Sequence, residues 1–160
     1  MTRKAGVDKD GIRSSAAEHV ARYLATNGED GYYIDKWATL LLTTTGRLSG
    51  EPRIAPLIFG MDEDRYIVVA SFGGSKTYPA WYTNLQADPK VTLQIKADHL
   101  EADARTATGE ERRRLWDMMV AIFPHYASYE KKAGRQIPII VLDPTGGSPP
   151  PMGACGPDRP

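Results

Sequence analysis

One cysteine among 160 residues, Cys155, excludes an internal disulfide framework, and its place in a Pro/Gly-rich stretch fits a reducing compartment. Net charge is also missing, because twenty basic and twenty acidic side chains cancel. No overall field then draws in nucleic acid or an acidic lipid surface, so any recognition of anions has to be local. No apolar run approaches the ~18 residues of a spanning helix. Met1 to Asp10 lacks the apolar centre of a secretory signal, which makes a cytoplasmic location the expectation. The histidines, His19, His99 and His125, are scattered, and none stands at ligand spacing from Cys155 or from another histidine, so no metal site is expected. There is no G-x-S-x-G nucleophile. In "SFGGSKTYP", residues 71–79, Ser75 separates Gly74 from Lys76, which breaks the pattern of a nucleotide-hydrolase loop. That stretch keeps a glycine-rich turn ahead of a helix, whose backbone N–H groups can cradle an anion. Chemistry without metal, thiol or triad usually borrows an organic cofactor.

What is there divides into three parts: an N-terminal helix and linker over residues 1–36, a β domain over 37–144, and a tail over 145–160 too poor in apolar residues to pack. In "SSAAEHVARYLATNG", Ser15 and Glu18 have the spacing of a capping box, Ala16, Val20, Tyr23 and Leu24 share one face, and Gly28 supplies a stop. This helix is expected to pack on the domain, with contact at the inner face of a membrane as the alternative. "WATLLLTTT", "RIAPLIF", "YIVVAS", "KVTLQIK", "LEADART" and "IPIIVLDP" read as six strands, with Val91, Leu93 and Ile95 inward and Thr92, Gln94 and Lys96 toward water. Six antiparallel strands joined by short turns predict a closed or nearly closed barrel. Two helices interrupt it. One lies between Pro79 and Pro89, and the other opens on Thr108 and Glu111, spaced as a second capping box, with Leu115, Met119 and Ile122 as its core stripe. Arg112, Arg113 and Arg114 read as a solvated face paired with acids.

The stretch that resists a purely structural reading is "LLTTTGRLSGEPRIAPL", residues 41–57. A hairpin can close on two residues, whereas this turn has Gly46 and Gly50 and sets Arg47 and Arg53 on either flank of Ser49. An arginine fork suits phosphate because it donates two hydrogen bonds at once. In "PAWYTNL", Trp81 and Tyr82 offer flat faces to a ring and Asn84 offers a donor and an acceptor to its edge. The competing reading makes Trp81 and Leu85 a core stripe.

Together with "VVASFGG", "PAWYTNLQADPKV", "ADARTATGEERRRLW" and "RQIPIIVLDP", this hairpin resembles the deazaflavin-dependent nitroreductase family, which uses coenzyme F420. The resemblance runs from about Leu40 to Pro144. It implies an α+β fold, a six-stranded antiparallel split β-barrel of the FMN-binding type with an N-terminal helix and two inserted helices. It also implies hydride transfer from the reduced deazaflavin to a small-molecule electron acceptor: a quinone, a nitroaromatic or an activated enone. By the same resemblance Arg47, Leu48 and Ser49 lie against the cofactor's phosphate tail, and Arg53, Ile54, Ala55, Pro56 and Leu57 beside its linker and ring. Val69, Ala70, Ser71 and Phe72 line the ring, Ala80, Trp81, Tyr82, Thr83 and Asn84 close its other side, and Tyr126 reaches over it. Ser71, Tyr126 and Tyr129 then face the acceptor as catalytic residues. Leu48 and Phe72 stand at positions often basic in that family, and Ile58 where a tyrosine is known. The alternatives are a flavin mononucleotide oxidoreductase on the same barrel, a non-catalytic carrier that needs the arginines but not the tyrosines, and an interaction module that needs neither.

Overall fold

A computed structural model describes residues 9–71 and 77–145. The expected tail beyond Thr145, Phe72 and the glycine turn at 73–76 lie outside them. The elements are α1 (Lys9–Thr26), β1 (Tyr33–Ile34), β2 (Trp37–Thr45), β3 (Pro52–Ile58), β4 (Gly60–Asp62), β5 (Arg65–Val69), α2 (Ala80–Ala87), β6 (Lys90–Ile95), β7 (Asp98–Thr106), α3 (Gly109–Ile122), α4 (His125–Ala133) and β8 (Ile139–Pro144). All six expected strands form, and the count rises to eight. The two extra strands, β1 and β4, have two and three residues, too short to carry an alternation that sequence could reveal. A third inserted helix, α4, follows Pro124 and ends on Gly134 in the left-handed region at φ 69°. The first helix starts at Lys9, so Ser15 lies in its interior and not at its cap.

The hydrogen-bonded order is β1-β2-β6-β7-β8-β5-β4, with β3 paired to β2 off that path. Every pairing is antiparallel. The sheet is curled into a half-barrel, and its two far edges, β3 and β4, are consecutive in the chain, joined through Phe59. On one side of Phe59 the chain pairs with β2, Thr39 opposite Ile58, and on the other with β5, Gly60 opposite Ile67. Carried on, the second register aligns Ile58 with Val69 and Pro56 with Ser71, but no ladder forms there. Pro56–Ile58 and Val69–Ser71 therefore meet along a seam that no ladder of hydrogen bonds closes.

Alternate residues of the strands fill the interior: Leu40 and Leu42, Val68 and Ala70, Val91 and Leu93, Ala102 and Ala104, Ile140 and Leu142. Trp81, Tyr82 and Leu85 of α2 complete this core. The opposite faces of β5 and β8, with Ile67, Val69, Ile139 and Val141, are covered by Leu115 and Met119 of α3 and Tyr126 of α4. Gly60 permits that cover, because an added Cβ would meet Met119 Sδ at 2.8 Å and Ile122 Cδ1 at 2.9 Å. The first helix is anchored by Tyr23, fully buried, whose hydroxyl lies 3.1 Å from the Thr39 carbonyl and accepts the Lys96 N–H at 2.8 Å. Burial pushes that hydroxyl's pKa up to about 12. Gln94 is a correction to the expected alternation: it is buried, and its amide donates to the Lys96 carbonyl at 2.8 Å.

Charge ties α3 to the sheet. Arg114 clasps Asp62 with both nitrogens, 2.9 and 3.2 Å, and Arg65 also bonds Asp62. Arg105 makes a two-pronged contact with Glu111, 2.8 and 3.0 Å, and reaches Asp143 at 3.0 Å. Glu111 is thus engaged by an arginine, and Thr108 caps α3 with no side-chain hydrogen bond, so the second capping box does not form. Arg112 bonds Glu130 and the Ile137 carbonyl, and is mostly buried where a solvated face was expected.

Candidate cofactor and acceptor site

The turn at the end of β2 is held by its own backbone. The Gly46 N–H donates to the Glu51 carbonyl and the Gly50 N–H to the Gly46 carbonyl, both at 2.8 Å. Its two glycines have separate causes. A Cβ on Gly46 would stand 2.7 Å from Ser49 Oγ, while Gly50 has φ +74°, a conformation that favours glycine. Ser49 Oγ accepts the Glu51 N–H at 3.1 Å and the Arg53 guanidinium at 3.3 Å.

The helix α2 then fixes the hairpin in place. Asn84, 3% exposed, accepts the Arg47 backbone N–H at 3.1 Å through Oδ1 and donates to Thr44 Oγ1 at 3.2 Å. Its amide thereby ties the hairpin to α2. The Arg47 guanidinium donates to Thr83 Oγ1 at 2.9 Å. Trp81 and Tyr82 turn their faces into the interior core with Leu85, so the core-stripe reading is the one that forms. What α2 presents outward beside the hairpin is Ala80 and Thr83.

Arg47 and Arg53 are exposed, and their side-chain hydrogen bonds go to neutral hydroxyls. Among the described residues neither has a carboxylate within ion-pair distance, in contrast to Arg22, Arg65, Arg105, Arg112 and Arg114. Two uncompensated cations held on a fixed hairpin next to the seam suit an anionic ligand. Leu48, at the tip, is 90% exposed. Ile54 is exposed, and Ala55, Pro56 and Leu57 are half-buried along the β3 edge. Across the seam Val69, Ala70 and Ser71 are buried.

The tyrosines lie on the outer face of β5, the side of Val69. Tyr126 is buried at 4% exposure, and Tyr129 is half-buried, their ring centres 6.4 Å apart. Burial pushes both hydroxyls above the usual tyrosine range. Tyr126 and Tyr129 thus share the Val69 side of the sheet, and Ser71 lies two residues past the end of β5. Sequence reasoning missed Thr44, whose role depends on a residue 40 positions away. It also missed the contact of Arg135 with Tyr78, where the guanidinium lies 4.3 Å from the ring centre.

Residues 15–144 match the family model for F420H(2)-dependent quinone reductases. An F420H(2)-dependent quinone reductase of Mycobacterium tuberculosis is 34% identical over 128 residues, which is 78% of this chain and 86% of that protein. Among solved structures, an F420-H2 dependent reductase (FDR-A) is 39% identical, with a TM-score of 0.62 over 66% of this chain and 93% of that one. A second, a domain-swapped dimer, is 36% identical, with a TM-score of 0.65 over 84% of this chain and 98% of that one.

Proposed function

The chain belongs to the F420H(2)-dependent quinone reductase family, oxidoreductases that use coenzyme F420, and from that premise we propose that it reduces a quinone bound at the seam. When bound, the reduced deazaflavin supplies a hydride. The observation that carries the reading is the pair Arg47 and Arg53, exposed, positioned through Thr83 and Ser49, and without a described carboxylate partner. They would hold the phosphate of the cofactor's tail, with Ser49 between them. Ile54 to Leu57 on β3 and Val69 to Ser71 on β5 would flank its ring, and Ala80 and Thr83 would close the α2 side.

In this reading the acceptor lies on the Ser71, Tyr126 and Tyr129 side. Holding it at near-attack distance makes transfer effectively unimolecular. Negative charge grows on the acceptor's oxygen as it is reduced, and the hydroxyls of Ser71 and Tyr129 would donate hydrogen bonds to it. Tyr126, packed between Trp116 and Phe123, sets the floor of this side with ring centres at 6.4 and 4.8 Å. Nitroaromatics and activated enones are further proposed acceptors, because they too gather charge on oxygen. No helix among the described residues is long and apolar enough to cross a membrane.

The test is anaerobic oxidation of reduced deazaflavin, followed by absorbance with a soluble naphthoquinone. Turnover is expected with the deazaflavin and not with reduced flavin mononucleotide. Turnover with the flavin alone would move the protein to the flavin reading.

A further inference from the structure

Beside Tyr129 three further aromatic side chains meet, Trp37, Phe123 and His125, and two of them, Trp37 and His125, have no part in the site described so far. The His125 ring stacks on that of Tyr129, 6.2 Å between centres and 23° between planes. It also lies 4.9 Å from Phe123 and 6.4 Å from Trp37. Three elements build the cluster. Trp37 opens β2, and its indole N–H donates to the Ile122 carbonyl at the end of α3, 2.6 Å away. Phe123 follows α3, and His125 stands one turn before Tyr129 on α4. Of these side chains His125 is the exposed one.

Reduction of a quinone needs more than a hydride. Once the acceptor has taken up that hydride it is a hydroquinone monoanion, and one proton on its phenoxide oxygen completes the hydroquinone. We propose that His125 supplies this proton: a ring N–H bond breaks, an O–H bond forms on the acceptor, and the ring recovers a proton from water. The proposal rests on the reading that the acceptor lies beside Tyr129. Parallel rings one helical turn apart look toward the same side, so an acceptor oxygen near Tyr129 is within reach of the imidazole directly or through one water.

The tyrosines are poorer donors here. Burial has made both hydroxyls weaker acids, and Tyr126 is shut off from the solvent that would reprotonate it. Histidine as a residue type changes charge near neutral pH, where a general acid is most effective. Of the titratable and charged groups, Tyr129 stacks on the ring, Tyr126 is its neighbour in the chain, and Lys36 sits against Trp37, its ammonium 5.4 Å from that ring centre.

The experiment compares the full-length protein with His125→Phe, which keeps the stacked ring, and with His125→Ala, assayed between pH 5 and 9 with reduced deazaflavin and saturating naphthoquinone. Both variants are expected to lose roughly tenfold or more in kcat, within the range of general acid catalysis. The loss should come with disappearance of the wild-type pH limb, recovery of the Ala variant on addition of imidazole, and unchanged deazaflavin affinity by fluorescence. Without cofactor, the His125 ring signals in an NMR spectrum should shift when a naphthohydroquinone is added anaerobically. A His125→Phe enzyme with the wild-type rate and pH profile overturns the proposal alone, as does an unmoved His125 signal. A wild-type protein that turns over no quinone overturns the parent reading and this one with it.

Discussion

Replacing Arg53 by Ala separates an anion site from a solvated turn. The side chain is exposed, and its only described hydrogen bond, to Ser49 Oγ at 3.3 Å, is long and neutral. Removing it should move folding stability by less than about 0.5 kcal/mol, as for other surface changes. A charge-assisted bond to a phosphate is worth about 1.5–3 kcal/mol, so the same change should weaken deazaflavin binding roughly 10- to 150-fold. Quenching of deazaflavin fluorescence gives the dissociation constant, and a thermal melt controls for folding. Turnover at saturating cofactor should be spared, since the contact is equal in ground and transition states. Arg53→Lys should fall between, because an ammonium keeps the charge and loses the fork. An Arg53→Ala protein with the wild-type dissociation constant would refute the reasoning and leave the arginines as decoration on a turn.

Asn84→Ala removes a buried amide that serves both Thr44 and the Arg47 backbone, at a cost of about 1–3 kcal/mol. A melt should record it as about 2–4 °C per kcal/mol, and the loosened hairpin should also bind deazaflavin more weakly. Leu115→Ala empties a fully buried position under α3 and should cost about 2–5 kcal/mol in denaturant unfolding without altering cofactor affinity per folded molecule. Tyr129→Phe keeps the ring and removes the hydroxyl, so quinone kcat/KM should fall roughly tenfold while deazaflavin affinity stays, both measured in one stopped-flow series. Hydrogen bonds from Arg114 and Arg105 hold the Asp62 and Glu111 carboxyls below their ordinary range. Their stabilisation is therefore complete above the unfolded carboxylate pKa and fades as pH falls through the lower folded values. Acid melts of Asp62→Asn should show a shallower loss than wild type.

Much of this fold is legible in the sequence because long strands carry long patterns. The nine residues of β2 and the clean alternation of β6 announce themselves, and prolines bracket α2 on both sides. What stays hidden is short or non-local. Two- and three-residue strands have no period, the nine residues of α4 carry only a short stripe of Tyr126, Tyr129 and Ala133, and Glu111 has a capping spacing that Arg105 overrides from β7. The hairpin's oddity was visible as two glycines and two arginines, yet what ties it to α2 is a buried asparagine 37 positions away. Trp81 and Tyr82 show the limit from the other side: aromatic residues beside a site look alike in sequence whether they face a ligand or the core.

The central claim places the deazaflavin along the seam between β3 and the end of β5. Hydrogen exchange measured with and without saturating deazaflavin tests it most directly, because bound ligand slows exchange where it lies. Protection is predicted in peptides covering residues 46–57, 69–71 and 80–84, with the outer helix α1 unchanged. Protection confined to α1 or to the β6–β7 hairpin, with the 46–57 turn exchanging as in the free protein, would contradict it.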